Sequence, residues 1–283
     1  MQILSTPIEL SKSLKKYSSK GNSIGLVPTM GALHQGHLEL ISKSKNENDV
    51  TVVSIFVNPT QFNNSEDFNN YPRPLEEDLS ELNRLNVDYV FTPDDVALYP
   101  KKQTVFIDFG TPARVMEGEF RPGHFDGVGT VVSKLLHIVS PSRAYFGLKD
   151  LQQFLLIRRM CVELNFPVGI IGVKTVRERS GLAMSSRNQR LSERGKEVAA
   201  NIYKGLKKIE EGIRSGNQLN YLLETSRIFY SKIDEIEVEY LEAIDPSNLH
   251  SVTSCQNLKE LAVCFAGYVE GVRLIDNLYL QFK

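Results

Sequence analysis

The first part of the chain alternates short apolar runs with amphipathic stretches. Apolar runs at 23–27, 50–57 and 87–91 predict buried strands, and the second of them is rich in β-branched residues. Amphipathic stretches at 36–45 and 75–85 predict helices between these strands. The alternation continues with strands predicted at 144–146 and 168–173 and helices predicted at 127–139 and 149–163.

The stretch 127–139 shows the helical period most clearly. Its apolar residues recur at the spacing of one helix face, namely Val128, Val131, Val132, Leu135, Leu136 and Val139. Strands that alternate with helices favour a parallel sheet covered by helices on both faces. We therefore predict an α/β fold with a Rossmann-like, doubly wound parallel sheet.

The pattern changes after about Val176. A long charged helix is predicted at 192–212, with Ser192 as its N-cap. The strands predicted beyond it lie at 236–243, 261–268 and 272–280, and the last two form a hairpin around Gly271. We expect two domains, 1–176 for binding and a smaller α+β lid domain at 177–283. The polar segment 63–71 predicts a surface loop.

Composition and charge exclude several classes of protein. The 283 residues are 41% hydrophobic and 24% charged, as in soluble globular proteins, and the net charge of −1 disfavours nucleic acid and anionic membranes as partners. No apolar run approaches the roughly 20 residues that span a bilayer. Residues 1–10 lack the pattern of a signal peptide. Three cysteines without a C-x-x-C pair predict free thiols, so we expect a cytoplasmic protein.

The first strand is followed by the most informative segment, which runs from Pro28 to His37. The carboxyl end of a strand in an open α/β sheet is where nucleotides bind. Gly31 and Gly36 allow close approach of the backbone to a phosphate, and the following helix offers free N–H groups. His34 and His37 stand three residues apart and can face one ligand. The alternatives for the two histidines are helix capping, ordinary surface positions and a metal pair, although no third metal ligand is apparent.

Three further segments carry candidate chemistry. Gln61 follows the second strand and can both donate to and accept from a hydroxy acid. Lys149 follows a later strand and offers a positive charge to a phosphate, although 147–150 is also consistent with a simple helix start. Ser185, Ser186 and Arg187 suit a triphosphate, although their segment is equally consistent with a polar linker.

The five segments 28–37, 56–62, 121–128, 146–153 and 183–188 together resemble pantothenate synthetases. Their sequences are PTMGALHQGH, FVNPTQF, RPGHFDGV, FGLKDLQQ and AMSSRN. This family belongs to the adenylyl-transferring enzymes with HIGH and KMSKS motifs. Residues 34–37 stand in the place of the first motif and 184–187 in the place of the second.

The resemblance implies a role for each matching residue. His37 would be the catalytic histidine, assisted by His34, with Lys149 on the phosphates. ATP would be bound by Met30, Gly31, Ala32, Leu33, His34, Gln35, Gly36, His37, Gly147, Leu148, Lys149, Asp150, Val176, Met184, Ser185, Ser186 and Arg187. Gln61 and Gln153 would hold pantoate, and Gln61 would also lie near β-alanine. Asn58, Asp78, Glu117 and Arg121 would be further candidate site residues. Of these, Asp78 would help to place Mg²⁺, directly or through water.

The implied reaction has two steps and uses ATP and Mg²⁺. The pantoate carboxylate would attack the α-phosphorus and release pyrophosphate, and β-alanine would then displace AMP. Family members are usually homodimers, so a homodimer is expected. One alternative is a nucleotidyltransferase of the same superfamily, and another is a non-catalytic nucleotide-binding or scaffold protein, which the intact set of His34, His37, Lys149 and Arg187 disfavours.

Overall fold

The computed structural model describes residues 1–282 and contains two sheets. The first sheet has six parallel strands in the order β1-β4-β3-β2-β5-β6. These strands are β1 (Gln2–Leu4), β2 (Ile24–Thr29), β3 (Val50–Ile55), β4 (Tyr89–Phe91), β5 (Arg143–Gly147) and β6 (Gly169–Val173). Because the chain order reverses between β2 and β5, the sheet has the switch point of a doubly wound fold. The predicted fold class is confirmed.

Eight helices accompany this sheet in the described part of the chain. They are α1 (Pro7–Ser18), α2 (Gln35–Glu47), α3 (Ser65–Asn69), α4 (Leu75–Arg84), α5 (Asp95–Leu98), α6 (Glu117–Phe120), α7 (His124–Val139) and α8 (Leu151–Glu163). The apolar face predicted for α7 is buried at all six positions, from Val128 to Val139. Burial of that face ties the helix to the core, since most helical stability comes from such packing.

The second sheet is antiparallel and has the order β10-β9-β7-β8. Its strands are β7 (Glu237–Asp245), β8 (His250–Ser251), β9 (Glu260–Val269) and β10 (Val272–Gln281), and its helices are α9 (Glu193–Arg214) and α10 (Leu219–Ser231). Glu270 and Gly271 both have positive φ, as a two-residue hairpin turn requires. Ser192 caps α9 by accepting from the N–H of Gly195, as predicted.

The contacts divide the chain into two compact units. The first unit comprises 1–148 and 153–174, and the second comprises 149–152 and 175–283, of which the structure describes 175–282. The division predicted from sequence at 176/177, and the lid role, stay predictions. None of the helices in the described residues has the length and apolar character needed to cross a membrane.

The structure corrects the interpretation of the polar segment 63–71. Residues Ser65–Asn69 form α3, and the side chain of Asn64 caps it by accepting from the N–H of Glu66 at 2.7 Å. Two acidic residues in the first turn add a favourable interaction with the helix dipole. A five-residue helix is too short to show a hydrophobic period, so the pattern analysis predicted a loop there.

Candidate active site

The loop between β2 and α2 is held in an unusual backbone conformation. Gly31 has a φ of 81° and Ala32 a φ of 50°, so two consecutive residues are left-handed. A Cβ at Gly31 would lie 2.9 Å from a carboxylate oxygen of Asp78. Glycine is therefore required at this position by both conformation and space.

Asp78 in the first turn of α4 fixes this loop. Its Oδ2 accepts the N–H of Ala32 at 2.9 Å, and its Oδ1 accepts the N–H of Leu33 at 2.7 Å. The side chain is buried, and this burial raises the pKa of the Asp78 carboxyl, while the two N–H groups oppose that rise. Asp78 thus fixes the conformation of the loop that carries the predicted phosphate-binding residues.

The prediction that Asp78 helps to place Mg²⁺ is not tested by these contacts. Each of its oxygens already accepts one backbone N–H. Across residues 1–282 no three His, Cys, Asp or Glu side chains form a group that could hold a metal ion. The described residues therefore do not fit a dedicated Mg²⁺ cage, whereas an ion held mainly by phosphates and water needs only one or two carboxylates.

His34 and His37 form a reciprocal cap at the start of α2. The Nδ1 atom of His34 accepts the N–H of Gly36 at 3.1 Å, and the Nδ1 atom of His37 accepts the N–H of His34 at 3.3 Å. The two ring centroids are 4.1 Å apart. A backbone N–H can only donate, so each neutral ring carries its proton on Nε2. Capping and a donor role toward a phosphate are therefore compatible in the same two rings.

Gln61 lies at the end of a short 3-10 helix, Pro59–Gln61, that follows β3. Its side chain is buried, its Oε1 accepts from the Nδ2 of Asn58 at 3.1 Å, and its Nε2 donates to the Sδ of Met30 at 2.9 Å. The Oδ1 of Asn58 in turn accepts from the hydroxyl of Tyr99 at 2.8 Å. The structure thus brings together Gln61 and Met30, which were predicted to bind different substrates.

The N-terminal turn of α7 contacts the backbone of Gln61. The ring of His124 is buried and donates through Nδ1 to the carbonyl oxygen of Gln61, with a separation of 2.8 Å. A Cβ at Gly127 would lie 2.3 Å from the carbonyl oxygen of Thr60 and 2.8 Å from the Cα of Gln61. The absence of a side chain at 127 lets helix and 3-10 turn meet backbone to backbone.

Several predicted ATP residues lie in the second unit, on a small hairpin. The carbonyl of Val176 accepts the N–H of Met184 at 2.9 Å, and the backbone of Arg177 pairs with that of Ala183. Gly181, with a φ of 94°, lies in the turn. Ser185 then caps the 3-10 helix Ser186–Arg190 by accepting the N–H of Arg187. The structure therefore brings Val176 and the segment 184–187 together.

The segment after β5 is divided between the two units. Lys149 and Asp150 lie in a 3-10 turn, Leu148–Asp150, and belong to the second unit, whereas Gln153 lies in α8 and belongs to the first. The predicted helix at 149–163 thus begins two residues later, at Leu151. A Cβ at Gly147 would meet nothing within 4 Å, so crowding by the described residues does not explain that glycine.

The comparisons with known proteins agree along the whole chain. A family model described as pantoate-beta-alanine ligase matches residues 2–279. The pantothenate synthetase of Cytophaga hutchinsonii is 50% identical over 273 residues, which cover 96% of each chain. The chain belongs to the pantoate-beta-alanine ligase family. The family predicted from the five segments is confirmed.

Solved structures of the pantoate-beta-alanine ligase family share the fold. The pantothenate synthetase of Thermus thermophilus aligns with a TM-score of 0.92 at 39% identity, covering 98% of this chain and 99% of that one. The ligase of Francisella tularensis, complexed with beta-gamma ATP and beta-alanine, aligns with a TM-score of 0.78 at 36% identity, covering 98% and 97%. ATP and β-alanine are therefore ligands of a close structural relative.

Sequence reasoning assigned no role to three residues that hold the candidate site of this ligase-family chain. Tyr99 and His124 reach Asn58 and Gln61 over long sequence separations, and Gly127 gives the room for that contact. A glycine inside an apolar helix is a signal of close backbone approach, so Gly127 could have been singled out. No local pattern identifies the partners of Tyr99 or His124.

Proposed function

We propose that this protein joins pantoate to β-alanine in an ATP-dependent reaction that proceeds through a pantoyl-adenylate. The observation that carries the proposal is the contact between Met30 and Gln61, which lie in the segments that follow the adjacent strands β2 and β3, beside the switch point of the sheet. This contact supports a nucleotide segment and a hydroxy-acid segment that act on one reacting centre.

The first step would transfer the adenylyl group. A carboxylate oxygen of pantoate attacks the α-phosphorus of ATP, the bond to the β-phosphate oxygen breaks, and pyrophosphate leaves. The Nε2–H groups of His34 and His37 would donate to phosphate oxygens whose negative charge grows during this step. Lys149 would add a positive charge. The segment from Gly31 to His37, whose backbone Asp78 fixes, would surround the phosphates.

The remaining nucleotide contacts are proposed residue by residue. Met30, Gly147, Leu148 and Asp150 would complete the site after the two strands, with Val176 near the adenine. Met184, Ser185, Ser186 and Arg187 would contact the phosphates. Their hairpin and cap contacts support a fixed conformation of this segment before ATP arrives.

The second step would form the amide. The amine of β-alanine attacks the carbonyl carbon of the mixed anhydride, the bond to the AMP oxygen breaks, and the amine loses a proton as AMP leaves. Gln61 and Gln153 would orient pantoate, and Gln61 would lie near the amine. No enzyme nucleophile is needed, so positioning and charge stabilisation would provide most of the rate increase.

Mg²⁺ would enter as part of the ATP substrate. Asp78 would help to place the ion, directly or through water, since Mg²⁺ keeps several waters and needs only one or two carboxylates. A homodimer and a cytoplasmic location are also proposed, and sedimentation equilibrium of the purified protein tests the first of these.

The deciding experiment is incubation with Mg·ATP, pantoate and β-alanine, followed by mass analysis of the products. We expect pantothenate and AMP in equal amounts. We also expect isotope exchange between pyrophosphate and ATP with pantoate as the only acid, since the adenylate forms before the amine acts. Exchange that requires β-alanine would refute the two-step order, and a nucleotidyl product in place of AMP would indicate a nucleotidyltransferase.

A further inference from the structure

Strand β10 carries two consecutive buried polar residues in an otherwise mainly apolar sequence. Asp276 is 4% exposed and Asn277 is 8% exposed. A buried carboxylate is costly unless it is paired, and a buried amide is costly unless it is hydrogen-bonded. Neither residue lies in any of the five segments that identify the family. Their role is therefore inferred from the partners of their side chains.

Asp276 pairs with Arg177. The two guanidinium nitrogens of Arg177 lie 2.6 and 2.8 Å from the two carboxylate oxygens, which is a bidentate arrangement. The guanidinium carbon lies 3.6 Å from the ring centroid of Tyr203 on α9. The Arg177 guanidinium, paired with the Asp276 carboxylate and stacked on the Tyr203 ring, has little freedom to move.

Arg177 stands at the base of the hairpin that leads to the segment 184–187. Its guanidinium also donates to the carbonyl of Gly181 at 3.1 Å, in the turn of that hairpin. Its backbone pairs with Ala183, next to the hydrogen bond from Met184 to Val176. The ion pair with Asp276 therefore sets where Val176 and Met184 lie relative to β10.

Asn277 connects the same strand to a second segment. Its backbone N–H donates to Oδ1 of Asp276 at 2.7 Å, and its Nδ2 donates to the carbonyl of Lys149 at 2.8 Å. Consecutive side chains of a strand point to opposite sides, which lets β10 hold two segments at once. Lys149 and the 176–187 segment thus share one anchor, although they are distant in the sequence.

We propose that Asp276 and Asn277 are positioning residues of the ATP site. Acting through Arg177 and the Lys149 backbone, they fix the spacing between the two cationic groups, Lys149 and Arg187, that face the phosphates. This inference rests on the proposed function of those two side chains. Neither Asp276 nor Asn277 needs to touch the nucleotide.

The test uses Asp276→Asn in the full-length protein. The substitution keeps the size of the side chain and removes the charge and one acceptor, so the fork of Arg177 is lost. We expect the Kd for a non-hydrolysable ATP analogue and the KM for ATP to rise about tenfold, as the loss of one charge-assisted hydrogen bond implies. The KM for pantoate in pyrophosphate exchange should change less than about twofold.

A matched control lies on the same strand. Arg273 of β10 pairs with Glu239 of β7, with Nε 3.0 Å from the carboxylate, and both side chains are largely buried. Glu239→Gln removes a comparable ion pair that joins two strands of the second sheet to each other. It should lower the melting temperature without changing the KM for ATP. Equal effects of Asp276→Asn and Glu239→Gln on the KM for ATP would overturn the proposal.

Asn277→Ala provides a second variant if Asp276→Asn does not fold. It removes the hydrogen bond to the Lys149 carbonyl and keeps the ion pair, so we again expect weaker ATP binding with pantoate use preserved. An unchanged Kd for the analogue in this variant would overturn the role of Asn277. Failure of the wild-type protein to bind the ATP analogue would contradict the proposed function. That outcome is distinct from a failure of the positioning role, which concerns only the variants.

Discussion

His37 accepts the backbone N–H of His34 through Nδ1, at 3.3 Å. The same ring has a second nitrogen, Nε2, which carries the proton in the neutral form. One side chain therefore has two separable tasks, namely closing the first turn of α2 and donating to a phosphate. A substitution that places a polar atom at the position of only one of the two nitrogens can separate these tasks.

We predict that His37→Asn loses activity without losing the cap. The Oδ1 of asparagine is the same number of bonds from the backbone as the Nδ1 of histidine, so it can accept the N–H of His34. No atom of asparagine replaces Nε2. The rate of pyrophosphate exchange should fall about 100-fold. His37→Ala should lose a similar factor in rate and, in addition, about 1 kcal/mol in the free energy of unfolding. Near-normal exchange by His37→Asn would remove Nε2 from the mechanism.

Gln61→Glu is expected to affect pantoate much more than ATP. The substitution keeps the oxygen that accepts from Asn58 and replaces the N–H donors by a negative charge, which repels the carboxylate of pantoate. The loss of a buried polar contact of about 1–3 kcal/mol corresponds to roughly a 5- to 160-fold rise in the KM for pantoate. Pyrophosphate exchange measured with each substrate varied in turn gives both constants. Similar rises in both would indicate a general structural role.

Gly127→Ala should be harmful even though alanine favours helices. The helix preference would add up to about 1 kcal/mol of stability, but the new Cβ would lie 2.3 Å from the Thr60 carbonyl oxygen. The 3-10 turn must then move, and Gln61 with it, so the KM for pantoate rises.

Gly129→Ala is the control for this prediction. It lies on the same helix, and its nearest neighbours are atoms of the Phe109 and Ile107 side chains, which can shift. Enzyme assays and thermal unfolding should show a smaller effect on pantoate use for Gly129→Ala. A larger effect at 129 than at 127 would contradict the backbone contact between α7 and the turn.

The hydroxyl of Tyr145 gives a prediction about alkaline pH. Burial raises the pKa of Tyr145 to about 12, and the hydroxyl also contacts Asn48 and Glu47. Because the pKa is higher in the folded state than the ordinary value near 10, this stabilisation is complete below about pH 10 and is lost as the pH rises toward 12. Between those two pH values, the contribution of Tyr145 to the free energy of unfolding falls by about 1.4 kcal/mol per pH unit.

Tyr145→Phe cannot ionise and lacks this pH dependence. We expect wild type to be more stable than the variant at pH 8 and to lose about 1.4 kcal/mol of that advantage by pH 11, which is roughly half of the loss that full ionisation would cause. Urea unfolding of both proteins at the two pH values measures the difference. A stability difference that does not change with pH would contradict the raised pKa.

The regular part of the fold was predictable because its signals are local. The apolar period of α7, the cap at Ser192 and the turn at Gly271 each lie within a few residues, and the structure confirms each of them. The strand β1, the helix α1 and the helix α10 were not predicted. The three-residue β1 is too short to show a period, and it forms because β4 pairs with it.

The candidate site was predicted as a set of segments but not as a set of contacts. The two histidines and Gln61 follow strand ends, which the sequence shows directly. The support from Asp78 comes from 46 residues away, and that from His124 to Gln61 from 63 residues away. Such contacts depend on how strands and helices assemble, and one sequence alone does not specify them.

Residues 149–152 have a consequence for how this protein can be divided at the level of its gene. They belong to the second unit, while the chain on both sides of them belongs to the first. A fragment that begins at 175 would contain Arg187 and Asn277 but not Lys149. A single crossover there, in a chimera of two relatives, would take Lys149 from one parent and its anchor from the other. Recombinants that keep the second unit intact need junctions on both sides of 149–152 as well as at 174/175.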